Sequence, residues 1–152
     1  LRIACSIAKG LAYAHDLDLF PVSSLAAITW AVRKQLNDTN VPVLAVLDAR
    51  MHELYWGFFE TSSYNAEEHV NKAEHIKLIE TQSLVLAGIG IETYWPNIPE
   101  LIKEKTIHQL PIYPNAAAMI EMVCAIGISP VSVAQAQPVY VRNQVTQGDA
   151  CG

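Results

Sequence analysis

Residues 41–47, VPVLAVL, form an apolar run with no polar interruption. A strand with one wet face alternates apolar and polar residues, because successive side chains point to opposite faces of the sheet. An unbroken run suits a strand buried on both faces, and that requires helices packed over the sheet. The run therefore predicts a central strand over 41–49. It ends in Asp48–Ala49–Arg50, and residues 54–60, LYWGFFE, read as a second strand. The few polar residues between them predict a hairpin tip near 50–53, so this pair is antiparallel. Helices and strands alternate along the rest of the chain. The expected class is α/β, a mixed sheet flanked by helices.

The elements around this hairpin can be placed from caps and breakers. Residues 1–16 read as a helix. Arg2, Ser6, Lys9, Tyr13 and Asp16 recur at helical spacing and form a polar wedge of about 80°. The remainder has a bulky side, Ile3, Ile7 and Leu11, and a flat small-residue side, Ala4, Ala8 and Ala12 flanked by Leu1 and Cys5. An ordinary surface helix hides one stripe, and this one has two faces to hide. Ser23 or Ser24 caps a second helix that ends near Asn37. Residues 61–72 are a polar surface loop or an excursion at the sheet edge, and HIKLIE (75–80) a short strand. SLVLAGIG (83–90) is a buried strand ending in glycines, and residues 98–105 a short helix after Pro96. Residues 113–127 form a helix between the cap Asn115 and the terminator Gly127, apolar on nearly every side and so expected to be buried. Residues 137–143 are extended and dock the end of the chain, and the tail frays after Thr146.

Hydrophobic residues make up 51% of the 152 positions and charged residues 16%, with a net charge of −5. That is a core-forming composition, and an acidic surface repels phosphate backbones. Nucleic acid is then reached only indirectly, through a basic partner. No apolar run is long enough to span a bilayer, which leaves no membrane partner. Cys5, Cys124 and Cys151 contain no CxxC pair and read as reduced thiols of a cytoplasmic protein.

Candidate chemistry is sparse. The histidines, His15, His52, His69, His75 and His108, show neither HxxxH nor HExxH spacing. His69 and His75 with Glu67, Glu68 and Glu74 read as a solvated charge run rather than a metal site. Ser23–Ser24 lacks the GxSxG elbow, and Cys124 sits in an apolar helix as an inert small hydrophobe. Gly88 and Gly90 at a strand end either let backbone amides approach a phosphate or make a tight strand exit; the third glycine and the GK[ST] of a P-loop are missing. Asp48 and Arg50 either hold a magnesium ion and an anion or pair with Glu53 as a polar hairpin tip. The residues favour the structural alternative, and they imply no cofactor and no catalytic set.

Several stretches together resemble one family, TsaB/YeaZ: LRIACSIAKGLAYA (1–14), PVSSLAAI (21–28), VLAVLDARMHELYWGFFE (43–60), LAGIG (86–90), YPNAAAM (113–119) and PVYVRN (138–143). The resemblance implies an actin-like and Hsp70-like ASKHA fold, related to ribonuclease H, with two α/β lobes. It implies a non-catalytic subunit that dimerises with and activates a TsaD-like transferase in threonylcarbamoyladenosine modification of tRNA, joined by a TsaE-like ATPase. Members carry further strands, a helix and a Gly-rich turn before the segment equivalent to LRI, so preceding sequence is expected and the first lobe here is incomplete. Residues 1–20 are then a helix of that lobe, 21–146 the second lobe and 147–152 a tail. The family's helix bundle implies a partner or homodimer interface on Leu1, Ala4, Cys5, Ala8 and Ala12, with Ile3, Ile7 and Leu11 in the core. The small side packing against its own first lobe stays open, as do two other functions: an ASKHA-type metalloprotease or ATP-dependent enzyme, and a homodimeric interaction module.

Overall fold

The structure, a computed structural model, describes residues 2–77 and 80–141. Helix α1 (Arg2–His15) is followed by α2 (Ser24–Leu36), β1 (Val43–Asp48), β2 (Leu54–Phe59) and β3 (Glu68–Asn71). Then come β4 (Leu84–Gly88), the short α3 (Ile91–Tyr94) and α4 (Glu100–Lys105), β5 (Thr106–Leu110) and α5 (Ala116–Ile126). The sheet order is β3-β2-β1-β4-β5. β1 pairs antiparallel with β2 and parallel with β4, so the sheet is mixed and β1 is its centre, as the apolar run predicts.

The run is continuous because β1 feeds two cores. Val43 and Ala45 point to one face, where they join Val85, Ala87 and Phe59 under Leu25, Ile28 and Val32 of α2 and Met122 of α5. Leu44 and Val46 point to the other, with Leu54, Trp56 and Leu86 beneath Ile91, Tyr94, Ile98 and Ile102. Each fully buried aliphatic side chain contributes about 1.5–3 kcal/mol of transfer free energy before chain entropy is subtracted.

Local chemistry sets the ends of α2. Ser23 Oγ accepts from the amides of Leu25 (3.1 Å) and Ala26 (3.4 Å), two donors that the first turn cannot satisfy itself. The same hydroxyl donates to Glu68 of β3, which ties the cap to the far edge of the sheet. Asn37 closes the helix in the left-handed region at φ 51°. Arg33, near the end of α2, is buried. Its guanidinium donates to the carbonyls of Val41 (3.1 Å), Ser63 (2.6 Å) and Glu60 (2.5 Å) and lies 4.8 Å from the Tyr64 ring centre. Burial lowers its pKa, partly offset by Tyr64 and Asp38.

Three expectations are corrected and one, at 61–72, is resolved towards its sheet-edge alternative. Residues 73–75 form one 3₁₀ turn and Ile76 and Lys77 are not in a strand, so the predicted strand over 75–80 is absent from its described part; Leu78 and Ile79 lie outside it. The loop at 61–72 contains the edge strand β3. β5 follows α4 with no intervening turn, on residues that the sequence reading left unassigned. Helix α5 has its predicted caps, with Asn115 Oδ1 accepting from Ala118 N at 2.9 Å and Gly127 at φ 67°. It is not buried: Ala118 and Met122 are its buried residues, and Ile120, Cys124 and Ile126 are exposed. It packs at the margin of the sheet against α2, which covers one side of it. In the late motif, Val139 and Tyr140 are exposed, and Arg142, Asn143 and the tail at 147–152 lie outside the described residues.

Candidate docking face and strand-end corner

Helix α1 lies outside both cores. It is held to the rest of the chain by a few contacts with the 131–140 segment. Leu19 bridges Val131, Cys5 Sγ lies 3.8 Å from the Ala136 carbonyl oxygen, and Arg2 sits over the Tyr140 ring. Ala12 is its buried residue and Cys5 is half-buried. These two share one direction of the helix, so the small-residue side is the one that meets the chain. Ile3, Ile7 and Leu11 are 78%, 58% and 55% exposed. They join neither of the two cores, so within the described residues the bulky side is bare. The pattern of the helix says that two faces are apolar, and it cannot say which of them meets its own fold.

At about 100° per residue, Ile3, Ala14, Ile7, Leu11, Ala4 and Ala8 occupy an arc of about 140°, broken by His15 between Ala4 and Ala8. All six are exposed. Of the small-side residues, Ala4 and Ala8 therefore border the bulky stripe, Cys5 and Ala12 turn inward, and Leu1 lies outside the described residues.

The second candidate feature is at the ends of β1 and β4. Asp48 Oδ1 accepts from the backbone N–H of Arg50 at 2.7 Å and from the hydroxyl of buried Tyr94 at 3.1 Å. Asp48 and Arg50 are thus brought together through the backbone, and the ion pairs of the described residues do not join Asp48 to the Arg50 guanidinium. Tyr94 is 46 positions away and no motif spacing announces it. Burial, and then the Asp48 carboxylate, push its phenol above the ordinary tyrosine range. Gly88, at φ 131°, has no room for a side chain, since an added Cβ would lie 1.8 Å from Val46 O. At Gly90, φ 93°, a Cβ would sit 3.2 Å from the Tyr94 ring and 3.4 Å from Asp48. Both glycines thus have a packing reason, Gly88 against β1 and Gly90 against the Asp48–Tyr94 pair.

Two open grooves lie elsewhere. One of about 430 Å³ runs between α2 and α5 past Trp30, Lys34 and Glu121. There Glu121 accepts from Lys34 Nζ at 2.6 Å and from Trp30 Nε1 at 3.3 Å, and these bonds hold its carboxyl below the usual range. The other, of about 490 Å³, is lined by Trp56, Phe58, His69 and His75. Neither includes Asp48, Arg50, Gly88 or Gly90. Among the described residues no three His, Cys, Asp or Glu side chains are placed to hold a metal. No described helix is long and apolar enough to cross a membrane.

Comparison with known proteins places this geometry. The profile of the family described as "TsaD: tRNA N6-adenosine threonylcarbamoyltransferase" matches residues 1–132. Two curated proteins, both named tRNA threonylcarbamoyladenosine biosynthesis protein TsaB, are similar to this chain. The Haemophilus influenzae protein is 26% identical, with 96% of this chain and 66% of its own length covered. The Escherichia coli protein is 30% identical, with 95% and 66% covered. The chain thus spans 66% of the length of these relatives. Two solved structures have a TM-score of 0.77 at 26% identity: YeaZ from Pseudomonas aeruginosa, and a Pseudomonas aeruginosa protein described as similar to the peptidase YeaZ. They cover 91% and 93% of this chain and 67% of their own lengths.

Proposed function

The chain belongs to the TsaD family, on its TsaB/YeaZ side and with the ASKHA-like fold of those relatives, and on that premise we propose that it is a docking subunit in threonylcarbamoyladenosine modification of tRNA. In this reading it carries no chemistry of its own. It binds and activates a TsaD-type transferase, a TsaE-type ATPase joins the assembly, and tRNA is met through these partners. Residues 1–20 act as the docking element and 21–146 as the lobe that holds it.

The observation that carries the reading is the bare stripe Ile3, Ile7 and Leu11 on a helix that is engaged by the described residues around Cys5 and Ala12. An isolated helix gains nothing from three exposed aliphatic residues in register. A partner helix that covers them recovers about 1.5–3 kcal/mol from each before the entropy of association is subtracted. Ala4 and Ala8 beside the stripe let a partner backbone approach closely. The net charge of −5 supports indirect rather than direct contact with tRNA.

The test is association with a TsaD-type subunit followed by light scattering after size exclusion. Ile7→Glu and Ala8→Glu are expected to weaken the complex at least tenfold with the circular dichroism of the lobe unchanged. Undiminished binding by both variants refutes the docking face. Metal analysis and nucleotide titration of the purified chain separate this reading from a metalloprotease or an ATP-dependent enzyme.

A further inference from the structure

The helical layer of Ile91, Tyr94, Ile98 and Ile102 covers its face of the sheet over β1 and β4 and gives out towards β3. Trp56 of β2 is buried at its border and Phe58 is half-buried there. Trp56 is paired with His69 of β3, and Leu54 with Asn71, so these side chains share one face. Beyond Trp56 and Phe58 that face opens into the groove of about 490 Å³, which also takes in His75 and Lys77 of the segment leaving β3. Small-molecule sites are clefts of about 300–1,000 Å³ with an apolar lining and a few placed polar groups. The floor is set before anything binds. Trp56 Nε1 donates to Asn71 Oδ1 at 3.0 Å, and the His69 ring lies 4.4 Å from that of Trp56. With its oxygen engaged, Asn71 keeps its amide N–H groups as donors. Glu67 and Lys77 are exposed at the rim, and among the described residues neither takes part in an ion pair.

We propose that this groove binds a small planar aromatic molecule that carries an N–H donor on its ring and an anionic group beside it. The ring lies against Phe58 and Trp56, where aromatic contact adds to the area removed from water. Its N–H donates to the Glu67 carboxylate, and its anion accepts from the Lys77 ammonium and the Asn71 amide, charge-assisted bonds of the stronger kind. Each part of the lining excludes an alternative. A hydrocarbon ring leaves both charges unused, a cation meets Lys77, and a simple inorganic anion leaves the aromatic floor wet. A nucleotide and an indole-type carboxylate share the chemistry that fits. The groove shares no residue with α1, so the proposal does not rest on the docking reading.

Nuclear magnetic resonance of the full chain tests this, following the Trp56 indole N–H and the backbone amides of residues 67–77. The probes are adenosine monophosphate and indole-3-acetate, their uncharged parents adenosine and indole, and inorganic phosphate. At least one of the two ring-bearing anions is expected to bind saturably with a Kd of about 1 mM or tighter, as suits an open site, and the one that binds identifies the source. Its uncharged parent and inorganic phosphate should each bind at least tenfold more weakly. Lys77→Ala, at an exposed position, should weaken binding at least tenfold. Phe58→Leu, which keeps the core filled and removes the ring face, should weaken it as well, and Ile7→Glu on α1 should leave it unchanged. No saturable shift from either anion up to about 10 mM, an uncharged parent that binds as tightly as its anion, or undiminished binding by Lys77→Ala overturns the proposal.

Discussion

Tyr94 and Asp48 meet at 3.1 Å across the ends of two parallel strands, and the carboxylate oxygen that accepts the hydrogen bond of the phenol also accepts from the Arg50 amide at 2.7 Å. One buried hydroxyl therefore positions the acid that shapes the β1–β2 hairpin. Tyr94→Phe removes that hydrogen bond and leaves Asp48, which is exposed, to water. The expected loss is about 0.5–1.5 kcal/mol by urea denaturation, with faster amide exchange at Arg50. Tyr94 has a pKa raised by burial and by Asp48. A raised folded pKa contributes stability below the unfolded value, near 10, that is lost as pH rises through the folded one. Ultraviolet titration should find one tyrosine ionising above the others, with unfolding eased over the same range.

The hairpin tip is strained. Glu53 N donates to Arg50 O at 3.0 Å, and the two residues between them, Met51 and His52, have φ of 52° and 62°. Positive φ at both central positions is the requirement of a type I′ turn, which Asn-Gly meets without strain. A non-glycine residue there costs about 1–2 kcal/mol. Replacing Met51–His52 by Asn–Gly should raise stability by about 1–2 kcal/mol, read as a higher denaturation midpoint at unchanged m-value. No gain would mean that contacts of the native side chains offset the strain.

Arg33 is the polar group on which the loops before and after the hairpin converge. Its three carbonyl partners belong to segments that make no regular structure of their own. Arg33→Ala strips those acceptors and opens a cavity under Tyr64. The expected cost is about 3 kcal/mol or more, since each buried acceptor left unpaired costs about 1–3 kcal/mol. Arg33→Lys should recover only part of it, because an ammonium cannot reproduce the planar fork. Equal stability of all three proteins in urea would show that water replaces the guanidinium at no cost.

Much of this was legible because the signals are local. Ser23, Asn37, Asn115 and Gly127 each cap a helix through their own backbone or side chain, and the unbroken apolar run of β1 follows from burial on two faces. What failed depended on partners distant in sequence. Periodicity divides α1 into faces without saying which of them meets the fold, since Ile3 and Ala12 are equally apolar to it. The exposure of α5 was missed because hydrophobicity signals a wish for burial, not its fulfilment. β5 was missed because TIHQL follows α4 with no turn residue to mark a new element. Tyr94 had no motif that could link it to Asp48.

Gly88 offers the sharpest separation between a phosphate loop and a structural corner. A glycine kept for ligand approach faces an open site, so Gly88→Ala would impair binding and leave the fold intact. Here the space is filled by the molecule itself: Ile89 N donates to Val46 O at 3.0 Å, and the new methyl would lie 1.8 Å from that same oxygen. The φ of 131° adds strain for any residue with a Cβ. To accommodate Ala, β4 must draw away from β1 at the centre of both cores. The expected loss is about 3 kcal/mol or more, above the usual range for overpacking alone because strain and a broken ladder bond add to it. Gly90→Ala, with the movable ring of Tyr94 as its neighbour, should cost less. Thermal unfolding of the two variants checks the order, and a Gly88→Ala protein as stable as its parent would reopen the phosphate-loop alternative.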